Sequence, residues 1–158
     1  TMKNQGCQVR YYHDMIGYNY RLEGLQGAVL SVSLKYLPDW TRRRQEIGER
    51  YLAEITNPVF TMQAHPANTN PVYHLFVMTV ENNDDFIAYM SERGMECNKH
   101  YPVPCHLQKA YLNLGYKVGD CPNAEYLASH CVTLPLFPEM TDDEVSMVID
   151  ACNAYTGE

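Results

Sequence analysis

At 158 residues the chain is long enough for one medium-sized domain with a sizeable core, and its 46% hydrophobic and 20% charged residues exclude a disordered chain. A net charge of −7 argues against nucleic acid as a partner, because that ligand demands a basic footprint. No apolar run approaches the ~20 residues of a membrane span, and no signal peptide is visible, which argues against a membrane partner.

The elements follow in chain order. Leu25, Val29, Val32 and Tyr36 fall on one face and predict a helix over 22–37. Pro38 is expected to end it, and Asp39 to cap a second helix with an Ile47, Tyr51, Ile55 stripe. Arg42, Arg43 and Arg44 lie among Glu46, Glu49 and Glu54, which favours a solvated mixed-charge face over a basic patch. Residues 57–71 hold Pro58, Pro66 and Pro71 and read as loop. Residues 72–80, VYHLFVMTV, read as a buried strand, with His74 a satisfied core histidine. Asn82, Asn83 and Asp84 open a helix that carries Phe86, Ile87 and Met90 and closes at Gly94. A short strand over 95–99 and one helical turn over 107–111 follow. Asp120 is expected to cap a helix with Pro122 in its first turn and Ala124, Leu127 and Cys131 on one face. Thr141 and Glu144 form a capping box ahead of a Val145, Val148, Cys152, Tyr155 stripe. The class is α/β. Two strands are few for a sheet, so pairing partners are expected in the proline-rich loop or in other polypeptide.

Six cysteines, at 7, 97, 105, 121, 131 and 152, form no C-x-x-C pair, which points to reduced thiols and a cytoplasmic protein. Thirteen tyrosines fit a polar small-molecule site. Two polar clusters stand out. In GYNYRLEGLQGA (17–28), Asn19 could cap the helix with Arg21 a solvated first-turn residue. Alternatively the stretch binds an anion: arginine is unfavourable near a helix N-terminus, and a bound phosphate would reverse that sign. In KHYPVPCHLQ (99–108), two prolines stiffen the backbone between two histidines. Three readings compete there: a structural turn with histidines bonded to backbone, a metal site from His100, Cys105 and His106, and a polar ligand loop. No carboxylate or second cysteine stands at ligand spacing, which counts against metal. A Cys105 nucleophile beside His106 is weak, because neighbours on an extended segment point apart. His13, His65 and His130 have no context that raises them.

Taken in order, these motifs resemble one family. GYNYRLEGLQGA resembles its G-x-N-x-R…Q-A-A segment and VYHLFVM its Y-H-x-F/Y strand. HYPVPCHLQKAYLNLGYKVGDCPNAE resembles its H-Y-P-x-P-x-H-x-Q…G-D-x-P-x-A-E block, and TLPLFPEMTDDEV its closing S-L-P-L-x-P-x-M-T-x-x-E signature. The family is the DegT/DnrJ/EryC1/StrS sugar aminotransferases, and the resemblance runs from about Asn4 to the C-terminus.

The resemblance implies the C-terminal part of a type I, aspartate-aminotransferase-like fold. Residues 1–38 would be the tail of the large cofactor-binding domain and 39–158 an α+β small domain. It implies pyridoxal 5'-phosphate as cofactor, a nucleotide-linked keto sugar as substrate, an amino acid as amine donor, and a homodimer with sites at the interface. Asn19 would reach the cofactor phosphate of the partner subunit, and Arg21 the substrate at its pyrophosphate. His100, Tyr101, His106 and Gln108 would line the sugar-nucleotide pocket. The lysine that holds the cofactor lies in the family's large domain, and none of Lys3, Lys35, Lys99, Lys109 and Lys117 sits in a similar setting, so the isolated chain is expected to be inactive with no catalytic residue of its own. Two positions depart from the pattern: Gly27 within Q-A-A, and Cys105 where an apolar residue is commoner. The full H-Y-P form looks most like members acting on 3-keto sugars. The alternatives are a non-catalytic sugar-nucleotide-binding or regulatory module, and a relative that dehydrates sugars.

Overall fold

A computed structural model describes residues 3–9 and 11–157. The chain divides after Asp39 into two compact units.

In the first unit, β1 (Cys7–Val9) and β2 (Tyr12–His13) form an antiparallel hairpin. Beside it, residues 3–5 run antiparallel to 18–20: Gln5 N–H donates to Tyr18 O (2.8 Å) and Tyr20 N–H to Lys3 O (2.9 Å). Gly17 is required there, since a Cβ on it would lie 2.8 Å from the Gly6 Cα. Helix α1 spans Gly24–Ser33, with Glu23 as its N-cap residue and the Glu23 N–H donating to the Gln26 side chain at 3.0 Å. It buries no side chain: Leu25, Val29 and Leu30 are all exposed.

The predicted 22–37 helix is therefore shorter. It ends without Pro38, where Lys35 N–H bonds to Val32 O and Tyr36 N–H to Ser33 O, a tightening into i→i+3 turns. Pro38 lies in the first turn of α2 (Leu37–Glu54) instead, where its missing N–H costs nothing. Asp39 is in that first turn rather than ahead of it.

The second unit is a three-stranded antiparallel sheet, β3 (Thr61–Met62), β4 (Phe76–Thr79) and β5 (Cys131–Leu134), in the order β3-β4-β5. The remaining helices are α3 (Asn83–Ser91), α4 (Pro122–His130) and α5 (Asp142–Ala154). Phe76 pairs with Leu134 and Met78 with Val132, so one sheet face presents these four side chains to the core. Ile47 and Tyr51 of α2, Ile55 just after it, Phe86 and Met90 of α3, and Val145, Val148 and Cys152 of α5 complete it. The α2 and α5 stripes are thus buried as their spacing predicts. Asn82 caps α3 through Asp85 N–H, and the Thr141–Glu144 capping box forms.

Two asparagines close helix ends across the core. Asn57 Nδ2 donates to Cys152 O and Tyr155 O, while Asn153 Nδ2 donates to Glu54 O and its Oδ1 accepts from Thr56 and Asn57 N–H. Burial pushes the Cys97 and Cys152 thiols up to about 12, which makes both inert hydrophobes.

Several expectations change. The strand in 72–80 is only Phe76–Thr79, and His74 lies outside it and is exposed, not a core residue. The proline-rich loop does supply a pairing partner, β3. β5 takes the place of the expected end of α4, so Cys131 is a strand residue. Ala124 and Leu127 are exposed, and Ala128 is the buried α4 side chain. The α4 N-cap is Cys121, while Asp120 accepts from Lys117 N–H. Residues 95–99 make only a bridge, Asn98 to Thr133. The expected turn over 107–111 is two 3-10 segments, Cys105–Leu107 and Lys109–Leu114.

The arginine run is no basic patch, but neither is it a solvated face. Arg43 pairs with Asp142 (2.9 Å) and donates to Met140 O, and Arg44 donates to the carbonyls of Tyr73, His74 and Leu136. These bonds stitch α2 to the 73–74 and 136–142 segments. Beneath them Gly48 admits the Tyr73 ring: a Cβ there would lie 2.6 Å from its Cγ. Gly48→Ala gains about 1 kcal/mol of helix propensity and loses about 1–3 to overpacking. The expected outcome is a lower urea midpoint, a net loss of up to about 2 kcal/mol. An unchanged or raised midpoint would show that Tyr73 moves aside freely.

Candidate functional site

The first cluster lies in the first unit. Because 18–20 is extended, successive side chains alternate. Tyr18 and Tyr20 stack with ring centroids 5.2 Å apart. Asn19 and Arg21 meet: Arg21 Nε donates to Asn19 Oδ1 at 2.7 Å. That bond uses the amide oxygen and aligns the guanidinium. It leaves Asn19 Nδ2 and the two Arg21 Nη groups as donors with no acceptor among the described residues. Both residues are exposed. Asn19 does not cap the helix, whose N-cap position falls at Glu23, and Arg21 lies two residues ahead of that position rather than in the first turn. A cluster of outward donors that contains a guanidinium, ahead of a helix N-terminus, can receive an anion and offers nothing to a cation.

The second cluster lies in the second unit. His100 Nδ1 is 2.8 Å from Thr133 Oγ1 on β5. Tyr101 is exposed, with its ring edge-on to His100 at 5.2 Å. His106 Nε2 is 2.9 Å from Glu125 Oε1, and its side chain is only 8% exposed. Gln108 Nε2 donates to Val103 O of its own loop at 3.3 Å. The histidines are thus held by side chains of β5 and α4, not by the backbone that a structural turn would use. Among the described residues no three His, Cys, Asp or Glu side chains gather closely enough for a metal ion. Cys105 is exposed and opens a 3-10 turn.

His100 also borders a cavity of about 440 Å³ on the sheet face away from the core, lined by Met62, Val77, Thr79, Tyr126 and Leu127 among others. Sequence reasoning missed Glu125 and Thr133, the residues that orient the two histidines. Glu125 had a signal, as the acidic residue of the P-x-A-E segment; Thr133 in TLPLFP had none. Of the five lysines, Lys99 is ion-paired to Asp84 at 2.7 Å and the other four are exposed.

A profile of the DegT/DnrJ/EryC1/StrS aminotransferase family matches residues 1–153. The chain belongs to this family. It is 37% identical over 155 residues to a dTDP-3-amino-3,6-dideoxy-alpha-D-galactopyranose transaminase of Aneurinibacillus thermoaerophilus, covering 98% of this chain and 42% of that one. It is 33% identical over 153 residues to a pleiotropic regulatory protein of Geobacillus stearothermophilus, covering 95% and 41%. Among solved structures, DesV of S. venezuelae in complex with a ketimine intermediate superposes with a TM-score of 0.89 at 33% identity, covering 96% of this chain and 41% of DesV. The mixed α/β fold is therefore part of a sugar-aminotransferase fold of type I, and the chain spans only 41–42% of the length of these relatives. The family's solved structures include a PLP-form. Among the described residues no helix is long and apolar enough to cross a membrane.

Proposed function

We propose that the complete protein is a pyridoxal-phosphate-dependent aminotransferase that aminates a keto group of a nucleotide-linked sugar. In this reading the chain supplies anion and sugar contacts. The observation that carries it is the Asn19–Arg21 pair, whose outward donors fit a phosphate. The Aneurinibacillus relative, a transaminase of a dTDP-linked sugar, supports the substrate class. Asn19 Nδ2 would hold a phosphate oxygen of the cofactor in the partner subunit, and Arg21 a phosphate of the substrate. His100, Tyr101, His106 and Gln108 would meet the sugar. Bound, the cofactor stores the charge left when a proton departs the reacting carbon. The donor would be an amino acid such as glutamate, and the assembly a homodimer.

The six free cysteines suit a cytoplasmic setting. Residues up to 38 would belong to a large domain and those from 39 to a small one. The chain alone would be inactive, because none of its lysines occupies a buried site fit to hold the cofactor covalently. Two measurements test this. The complete protein, given a dTDP-linked keto sugar and glutamate, is expected to yield the amino sugar by mass spectrometry. The 158-residue chain, treated with the cofactor and borohydride, is expected to show no stoichiometric lysine adduct; such an adduct would overturn that part of the reading.

The name of the Geobacillus relative favours a second reading, a sugar-nucleotide-binding regulator. Tight binding of the nucleotide sugar by the complete protein, with no amine product from any donor, would select it.

A further inference from the structure

We propose that Glu125 is a positioning residue that holds the His106 ring with its proton on Nε2 and so presents Nδ1 as a hydrogen-bond acceptor for a hydroxyl group of the ligand. This rests on the reading that the 99–108 loop meets a sugar.

Glu125 stands near the start of α4, and its carboxylate turns back onto the loop before the helix. Gly119 N–H donates to both oxygens (2.9 and 3.0 Å), and Cys121 N–H donates to Oε1 at 3.2 Å. These amides can only donate. Partial burial pushes the Glu125 carboxyl up, but the Gly119 amide, the His106 ring and the Cys121 amide together outweigh it and hold the group below the usual carboxylate range. An ionised carboxylate has no proton to give, so the remaining bond, to His106 Nε2 at 2.9 Å, is donated by the ring. Tyr116 packs edge-on against the same ring, with centroids 6.3 Å apart.

The second ring nitrogen follows from this. Nδ1 has no partner among the described residues, yet no buried side-chain nitrogen or oxygen there lacks one. Nδ1 therefore reaches the surface although the side chain is 8% exposed. With the ring proton on Nε2, Nδ1 carries a lone pair. It accepts from hydroxyls and gives nothing to carbonyl or phosphate oxygens. A sugar offers hydroxyls; a pyrophosphate does not.

The ring proton is read directly by nitrogen NMR on the complete protein labelled with ¹⁵N-histidine. A proton on His106 Nε2 with none on Nδ1 is expected, and a proton on Nδ1, whether alone or beside one on Nε2, overturns the proposal; this needs no variant. The coupling is read by a double-mutant cycle on KM for the nucleotide sugar, using Glu125→Gln, His106→Phe and the pair. Each single change is expected to raise KM about three- to tenfold, the worth of one hydrogen bond, with the double no worse than His106→Phe alone. Multiplying effects would assign Glu125 to the 115–121 turn only and overturn the proposal. A wild-type protein that neither binds nor turns over nucleotide sugars defeats the function reading instead, and the ring proton still decides the positioning.

Discussion

Phe86→Ala is expected to lower the unfolding free energy by about 3–5 kcal/mol, the largest stability effect of any change considered. Phe86 is fully buried and sits between Phe60 and Tyr155, edge-on to both at centroid distances of 4.9 and 5.0 Å. Tyr155 in turn donates its hydroxyl to Asp85 at 2.6 Å. Truncation removes the ring's transfer energy, leaves a cavity, and costs three aromatic pairings, the third a stacked one with Tyr89 at 6.2 Å, of about 0.5–1.5 kcal/mol each. The neighbours come from the loop before β3, α3 itself and the residue after α5. Urea unfolding of the chain and of the variant gives the difference. Ala88→Ser, on the exposed side of the same helix, is the control and should stay within about 0.5 kcal/mol. A Phe86→Ala loss below about 1.5 kcal/mol would mean that the site closes up, and that the aromatic cluster is not the centre of this core.

The parts of the fold legible in the sequence are those written as repeats along one face. Ile47, Tyr51 and Ile55 recur four apart, and Val145, Val148 and Cys152 three and four apart, and all are buried. The capping box at Thr141 was equally plain, since both partners lie within four residues. What stayed hidden depends on partners distant in sequence. β5 is four residues long and buried on both faces, so it shows no alternation, and it follows α4 without a break that would separate them. Pro38 was read as a terminator because proline both ends and begins helices; which applies depends on where the first turn falls.

Arg43 and Arg44 looked solvated by composition. Their carbonyl partners lie 29 to 97 residues away, where no local rule reaches. The candidate site divides in the same way. Asn19 and Arg21 are two residues apart, and their pairing could be suspected from the motif. The bond that fixes His106 spans 19 residues and required the fold. The exposed face of α1 has its own lesson. Leu25, Val29 and Val32 recur along one helix face, and within this chain that face is unburied.

Arg21→Ala is expected to weaken binding of the nucleotide sugar by the complete protein about 10- to 150-fold, the equivalent of about 1.5–3 kcal/mol for a hydrogen bond to a charged group. Because Arg21 is exposed and, among the described residues, bonds to Asn19 alone, folding should change by no more than about 0.5 kcal/mol, so the loss reports on ligand and not on stability. The geometry separates charge from orientation. Arg21→Lys keeps the positive charge but cannot give Asn19 a bond from Nε while presenting a planar fork outward, so it should recover only part of the loss. Asn19→Ala keeps the guanidinium and frees it to swing; its effect on sugar binding should fall between wild type and Arg21→Ala. The same change should also weaken retention of the cofactor, because it deletes the Nδ2 donor. Arg21→Ala should leave cofactor retention nearly intact. That crossed pattern, with one residue on each anion, is what the proposed division of labour requires. Titrations with the nucleotide sugar and with pyridoxal phosphate on the three variants read both axes. If Arg21→Ala binds the sugar within twofold of wild type, the anion reading of GYNYRLEGLQGA is wrong, and the Asn19–Arg21 bond serves only to shape the approach to α1.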